Sequence, residues 1–231
     1  MTAVVKKYRY FFIGGIMGIV QQLLGRLDYY LYRGRDIFSF SAIMGGLSLY
    51  ALIIFIVMQR KKPPVEQFRD LFLFFLGLDF FYYLYIFVCE LITYQKLSEH
   101  EHEWSFYFQE TKTEIIDFIK WTVIGTAAGV WAYSATKARD KGIKAVYTLM
   151  ILPLAFVIAV EFLTSAGTMY HYLVQEYNRS HGTDEICGVF YSCPAADLLT
   201  SAVCLALGIR LYFKGKTVPV TAAEESETQN N

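Results

Sequence analysis

An apolar and aromatic stretch in the first half of the chain sets the strongest constraint on its fold. The stretch runs from Phe68 to Lys96 and reads FRDLFLFFLGLDFFYYLYIFVCELITYQK. A hydrocarbon core of about 30 Å takes about 20 helical residues to cross, and this stretch is long enough to do so with some tilt. We therefore predict a membrane-spanning helix here.

An acidic residue lies inside this predicted span. Asp79 follows Asp70 by nine residues, a rise of roughly 13 Å along a helix, which places it near the middle of a bilayer. An ionisable side chain at that depth is costly, so we expect it to face protein or water and to serve function. The alternative is a fixed hydrogen bond that serves only packing.

Apolar stretches of spanning length occur along most of the chain. Six are predicted: Tyr8–Leu27, Ile37–Met58, Leu71–Tyr94, Glu114–Ala135, Ala145–Tyr170 and Val189–Phe213. Charged residues make up 18% of the chain, below the roughly 25% of soluble domains, and no hydrophilic stretch is long enough for a separate core. We predict an all-α fold, a polytopic transmembrane bundle of six helices over residues 1–216. A disordered acidic cytoplasmic tail is predicted over 217–231.

The basic residues predict the orientation of the spans. With the N-terminus inside, fourteen Lys and Arg residues fall on the inner side and six on the outer side. The inner set is Lys6, Lys7, Arg9, Arg60, Lys61, Lys62, Arg69, Lys137, Arg139, Lys141, Lys144, Arg210, Lys214 and Lys216, and the outer set is Arg26, Arg33, Arg35, Lys96, Lys112 and Arg179. Cytoplasmic loops are enriched in Lys and Arg, so both termini are predicted to lie in the cytoplasm. The zero net charge gives no indication of nucleic-acid binding.

Charged residues within the predicted spans form the candidate ligand-binding set. They are Asp79, Glu90, Asp117, Lys120, Glu161 and Asp197. All the acids except Asp79 fall in the outer halves of their spans, so together they predict a polar pocket that opens outward and suits a cation, a proton or a polar ligand. Asp117 and Lys120 are three residues apart and can pair on one helical face. The alternative is that these carboxyl groups cap helices, reach the interface or make fixed hydrogen bonds.

Small residues recur at helical spacing within the spans. The first span carries Gly14 and Gly18, and the fourth carries Gly125 and Gly129. Small residues allow two helices to approach closely in a membrane, so we interpret these positions as packing contacts.

Four cysteines and four histidines are present. Cys89 and Cys204 lie within spans and are interpreted as packing residues. Cys187 and Cys193 lie in or near the last outer loop and can form a disulfide in an oxidising compartment, although spacing does not decide the point. The outer segment 99–103, EHEHE, suits either a solvated acidic loop or a metal, and no metal site is predicted.

Familiar catalytic motifs are missing from the sequence. It has no H-E-x-x-H pair, nucleophile elbow, phosphate-binding glycine loop or dinucleotide fingerprint. We therefore predict a non-enzymatic protein without a cofactor, although membrane enzymes can assemble a site from scattered side chains. Active transport would need an ion gradient or a separate ATPase partner, because the chain lacks an ATP-binding motif.

Two segments carry a resemblance to a known family. The segment Leu73–Tyr85, LFFLGLDFFYYLY, and the basic break QRKKPPVEQFRD at 59–70 resemble those of a family of small multi-pass bacterial membrane proteins of unknown function. The resemblance covers the second to fifth spans. It implies a multi-pass protein of a bacterial cytoplasmic membrane and a helix count, but no activity. The family's third helix is apolar where this chain has Asp79. In length and helix count the chain is also similar to the substrate-binding subunits of energy-coupling-factor vitamin transporters.

Three functions are compatible with these features. The first is a membrane protein that binds or helps move a small polar or cationic solute, with Asp79 and Glu161 as the principal ligands. The second is a structural or accessory subunit whose small-residue faces pack against other membrane proteins. The third is a membrane enzyme that uses the outer carboxylates and histidines.

Overall fold

The computed structural model describes residues 3–32, 39–97, 104–180 and 194–216, and their side chains over 8–31, 39–92, 111–177 and 194–213. Regular structure within these ranges is entirely helical. The helices are α1 (Ala3–Tyr32), α2 (Phe40–Gly45), α3 (Leu47–Met58), α4 (Pro64–Leu97), α5 (Trp104–Asp140), α6 (Lys144–Ser180) and α7 (Pro194–Lys216). The all-α prediction is confirmed for this part of the chain.

Among the described residues, six helical segments are long and apolar enough to cross a membrane. They are Tyr8–Leu31, Phe40–Met58, Pro64–Ile92, Thr111–Asp140, Lys144–Tyr177 and Pro194–Phe213. The predicted number of spans is therefore confirmed, and the fold is compatible with a multi-pass membrane protein. The helices run beyond most of the predicted ends, because polar residues that follow each apolar run continue the helix. The last helix begins at Pro194, and residues 189–193 of its predicted span lie outside the described ranges.

The second span differs from its prediction, because it is broken. Gly46 adopts an extended backbone conformation (φ −62°, ψ 137°) between α2 and α3. Its N–H donates to the carbonyl of Ala42 at 3.1 Å, and its carbonyl accepts from the N–H of Leu49 at 3.1 Å. The prediction of one continuous helix over Ile37–Met58 is wrong at this point. A break at membrane depth leaves backbone N–H groups that other residues must satisfy.

Helices α1 and α4 touch through their backbones. A methyl group placed on Gly14 would lie 2.0 Å from the carbonyl oxygen of Phe74, and one on Gly77 would lie 2.0 Å from that of Phe11. No side chain larger than hydrogen fits at either position without separating the helices. The interpretation of Gly14 as a packing contact is confirmed.

Helix α5 packs against the other side of α4. A methyl group on Gly125 would lie 2.5 Å from the Cβ of Phe75, and one on Gly129 would lie 3.0 Å from the ring of Phe68. The buried core lies between helices α3 to α7 and includes Leu52, Phe55, Met58, Leu71, Phe74, Phe75, Ala132, Ala135, Ile151, Ile158 and Cys204. These contacts fix the position of α4, the helix that carries Asp79.

Large apolar side chains cover the outside of the bundle. Ile16 is 64% exposed, Phe156 69% and Leu163 68%. Such an outer surface is unfavourable in water and favourable against lipid chains. The exposed surface therefore agrees with the lengths of the helices.

Candidate functional site

The break in the second span is stabilised by an acid from another helix. Glu161, on α6, accepts hydrogen bonds from the backbone N–H groups of Leu47 (3.1 Å, to Oε1) and Ser48 (to Oε2). These are the first two residues of α3, whose N–H groups have no partner within the helix. A carboxylate at this position satisfies both donors and interacts favourably with the helix dipole. The Glu161 side chain therefore caps α3.

A second acid caps the short helix α2. Asp28, near the end of α1, accepts from the backbone N–H groups of Phe40 (2.8 Å) and Ser41 (2.9 Å) and from the hydroxyl of Ser39 (2.7 Å). The sequence analysis did not identify this acid. A long connection separates it from its partners in the chain, so no local pattern reveals the contact.

The other end of α3 is held by a basic side chain. The guanidinium of Arg139, on α5, donates to the carbonyl of Met58 at 2.8 Å and to that of Arg60 at 3.1 Å. A cation at a helix C-terminus is favourable for the same electrostatic reason as an anion at the N-terminus. Both ends of α3 are thus fixed by side chains from neighbouring helices.

Several polar groups near Arg139 pair with one another. Asp70 is 2% exposed and pairs with Lys62, at 2.5 Å, and with Arg69, at 3.5 Å. The buried Gln67 donates to the carbonyl of Arg60 at 2.8 Å and accepts from the hydroxyl of Thr136 at 2.6 Å. We call this region, which includes Arg60, Lys62, Arg69, Asp70 and Arg139, the basic end of the bundle. Its buried acid is compensated.

An aromatic cavity of about 330 Å³ lies deeper in the bundle. Its walls are Gln21, Gly45, Leu47, Tyr50, Ala51, Ile54, Phe75, Leu78, Asp79, Tyr82, Tyr83, Trp121, Ile124, Ala128, Leu154 and Val157. Apolar and aromatic side chains form most of this surface, which is the usual composition of a small-molecule site. Asp79 carries the single carboxylate among the described residues of the wall.

Asp79 is buried without compensation. The residue is 5% exposed, and no hydrogen-bond donor among the described residues contacts its Oδ2. The amide oxygen of Gln21, which lines the same cavity, is also buried without a donor in the described part of the chain. Asp79 lies 15 residues after Pro64 and 13 before Ile92, in the middle of its span. Two hydrogen-bond acceptors that lack donors among the described residues therefore line one cavity, beside the middle of a helix long enough to cross a membrane.

A polar cavity of about 510 Å³ adjoins the aromatic cavity. Its walls are Gln21, Gln22, Gly25, Ser39, Ser41, Ala42, Gly45, Gly46, Leu47, Tyr82, Glu161 and Asp197. The two cavities share Gln21, Gly45, Leu47 and Tyr82, so they meet at the break in the second span. The hydroxyl of Tyr82 is hydrogen-bonded to Gln22, which holds its ring at this junction.

The candidate residues of the sequence analysis lie in the aromatic cavity, in the polar cavity or outside both. Asp79 lines the aromatic cavity, and both Glu161 and Asp197 line the polar cavity. Asp117 and Lys120 pair with each other at 2.7 Å on an exposed face of α5, so the predicted ion pair is confirmed. Neither Asp117 nor Lys120 belongs to the described walls of the two cavities, and Glu90 does not either.

Several wall residues were not singled out as candidate ligands by the sequence analysis. They are Gln21, Tyr50, Tyr82, Tyr83 and Trp121. Tyr82 and Tyr83 are three and four residues after Asp79, the spacing that places side chains on one helical face, so helical geometry was a usable signal for them. Tyr50 and Trp121 come from other helices, and no local signal points to them.

The cysteine and histidine predictions are tested only in part. Cys204 is 3% exposed and belongs to the core, which confirms its interpretation as a packing residue. Cys187 and Cys193, segment 99–103 and the tail at 217–231 lie outside the described residues. Within the described ranges no group of three His, Cys, Asp or Glu side chains is arranged to hold a metal ion.

Comparison of the chain with known protein families, with curated proteins and with solved structures finds no match. The family resemblance in the sequence analysis therefore stays a prediction, and functional assignment depends on the geometry of the two cavities.

Proposed function

We propose that this chain is a multi-pass membrane protein that binds, or helps move, a small polar or cationic solute at Asp79. In this proposal both termini and the basic end face the cytoplasm of a bacterial cell, and the polar cavity opens to the outside. The solute enters through the polar cavity and reaches the aromatic cavity past Tyr82. Net movement against a gradient requires a coupling ion or a separate ATPase partner.

One observation carries the proposal. Asp79 is 5% exposed, lacks a donor to Oδ2 among the described residues, and lines a cavity of about 330 Å³ in the middle of its span. A carboxyl group at membrane depth is expensive unless a partner compensates it. A cationic or hydrogen-bond-donating solute is the partner that such a cavity can admit.

For Glu161 we propose the role of a helix cap, which the sequence analysis gave as the alternative to ligand binding. Both of its carboxylate oxygens accept hydrogen bonds from the backbone of α3. We assign to it the task of keeping the second span broken, which holds Gly45 and Leu47 at the junction of the two cavities. Asp79 remains the principal ligand in the proposal, and Asp197 contributes negative charge to the wall of the polar cavity.

Infrared difference spectroscopy on the reconstituted protein tests the proposal. The carboxyl band of Asp79 is assigned by its loss in Asp79→Asn, and Asp117→Asn serves as the matched control, because Asp117 is paired outside both cavities. We expect the Asp79 band to respond to external pH and to added sodium or ammonium chloride.

A band that stays unchanged under all of these conditions would overturn the proposal. Asp79 would then be a packing residue closed off from solutes. The accessory-subunit function, in which the chain serves the assembly of a membrane complex, would take its place.

A further inference from the structure

The two orphaned acceptors indicate the chemistry of the missing partner. Within the described residues, the Asp79 Oδ2 and the Gln21 amide oxygen lack donors, and both residues line the aromatic cavity. A buried acceptor without a donor costs free energy that a bound donor recovers. A ligand that fills this cavity therefore gains most when it carries hydrogen-bond donors.

The charge of the wall indicates the charge of the ligand. Asp79 supplies one carboxylate, and the described walls of the aromatic cavity contain no Lys, Arg or His. A single buried carboxylate is compensated by one positive charge. A ligand with one positive charge therefore matches the ionised form of this side chain.

The rest of the wall distinguishes an organic cation from a metal ion. Na⁺ and K⁺ are hard cations that are held by shells of oxygen ligands, as are Ca²⁺, which takes about 6–8, and Mg²⁺, which demands near-octahedral oxygen coordination. Carbon atoms dominate the surface here, with Ile54, Leu78 and Val157 facing the same space as the rings. Tyr50, Tyr82, Tyr83 and Trp121 add aromatic rings, which attract an ammonium group and pack against its alkyl substituents.

We infer that the aromatic cavity binds a protonated organic amine, with its N–H groups donating to Asp79 and Gln21 and its apolar body against the aromatic rings. This inference rests on the proposed function and narrows its solute class. The volume of about 330 Å³ lies near the lower limit of small-molecule sites, which fits an amine with one ring or a short alkyl chain.

Three matched probes test the inference directly. Benzylamine is protonated at neutral pH and has N–H donors, benzyltrimethylammonium has the charge without N–H donors, and benzyl alcohol lacks the charge. Binding is followed by the fluorescence of Trp121 in a chain carrying Trp104→Phe and Trp131→Phe. We expect saturable binding of benzylamine, with the other two probes weaker by at least about 10-fold, the factor of one charge-assisted hydrogen bond.

Variants locate the binding site. Asp79→Asn is expected to weaken benzylamine binding by at least about 30-fold, because it removes the counter-ion. Gln21→Leu replaces the amide with an apolar side chain of similar size, which removes the second acceptor, and is expected to weaken binding by about 10-fold. It also keeps the test valid if Asp79→Asn fails to fold. Asp117→Asn is the control and leaves binding unchanged.

The failures of the two proposals are distinguishable. Equal affinity for all three probes, benzylamine binding that survives Asp79→Asn, or a Trp121 response to sodium or calcium alone would overturn the amine inference. Each would leave the proposed function standing as long as the Asp79 infrared band responds to solutes. A silent Asp79 band together with no fluorescence response to any probe would overturn both.

Discussion

Two acids of α4 lie nine residues apart and have opposite surroundings. Asp70 is 2% exposed and pairs with Lys62 and Arg69, whereas Asp79 is 5% exposed and has no donor to Oδ2 within the described residues. Both are buried carboxyl groups on the same helix. The difference is that Asp70 faces the basic end of the bundle and Asp79 faces a cavity.

This contrast separates a structural acid from a candidate functional acid. A buried charge whose partners are supplied by the protein contributes to the fold and leaves little for a ligand to gain. A buried acceptor that the fold leaves without a partner stores a free-energy cost, which a ligand can relieve. Asp70 and Asp79 are almost equally buried, so burial alone does not tell which is structural and which is the candidate ligand. The presence or absence of hydrogen-bonding and ionic partners makes that distinction.

The largest expected effect comes from exchanging the two acids for amides. Asp70→Asn is expected to lower the free energy of unfolding by about 3 kcal/mol, because it leaves Lys62 without its buried partner. Asp79→Asn is expected to change it by less than about 1 kcal/mol, because no ion pair is lost. Detergent-induced unfolding of the purified variants measures both. An equal loss of unfolding free energy in Asp70→Asn and Asp79→Asn would contradict the distinction between a structural and a functional acid.

A smaller effect is expected from widening the contact between α1 and α4. Gly14→Ala places a methyl group 2.0 Å from the carbonyl oxygen of Phe74, so the helices must separate, at an expected cost of about 2 kcal/mol. Gly167→Ala is the matched control, since nothing lies within 4 Å of its added methyl group. That variant is expected to gain up to about 1 kcal/mol in the same assay. An unchanged free energy of unfolding in Gly14→Ala would show that α1 and α4 can separate at little cost. The packing of α4, which carries Asp79, would then be less rigid than the contact indicates.

The smallest effect is expected at the break of the second span. Glu161→Gln keeps one acceptor for the α3 N-terminus and loses the negative charge, which is expected to cost about 1 kcal/mol. Asp197→Asn alters an acid in the wall of the same polar cavity and is expected to cost less than about 0.5 kcal/mol. Thermal unfolding in mild detergent compares them. A larger loss in Asp197→Asn would transfer the structural role from Glu161 to Asp197.

Much of the fold could be predicted from local features of the sequence. Apolar length identified the six spans, and three-residue spacing identified the Asp117–Lys120 pair, because both depend on distances along one helix. Asp79 was a predictable candidate because its depth follows from its place within an apolar run. The roles of Gly14 and Gly125 as contact points followed from residue size.

The contacts between helices were beyond local prediction. Glu161 was predicted to be a ligand or a helix cap, and the residues that its oxygens cap lie more than a hundred positions earlier in the chain. Asp28 and Arg139 act on α2 and α3 in the same long-range way. The pair Gly45–Gly46 is a weak signal for the break, since adjacent glycines also occur at ordinary helix contacts.

The sequence by itself determined that this chain forms six long apolar helices and that Asp79 lies near the middle of one of them. Hydropathy and the rise along a helix depend only on residues that are close in the sequence, so both can be calculated without knowing the tertiary structure. Only the tertiary structure decided that Asp70 is paired and Asp79 faces a cavity, and that Glu161 caps a broken helix. Those outcomes depend on which helices approach one another, because a buried polar group takes its partners from whatever the packing brings within hydrogen-bond distance.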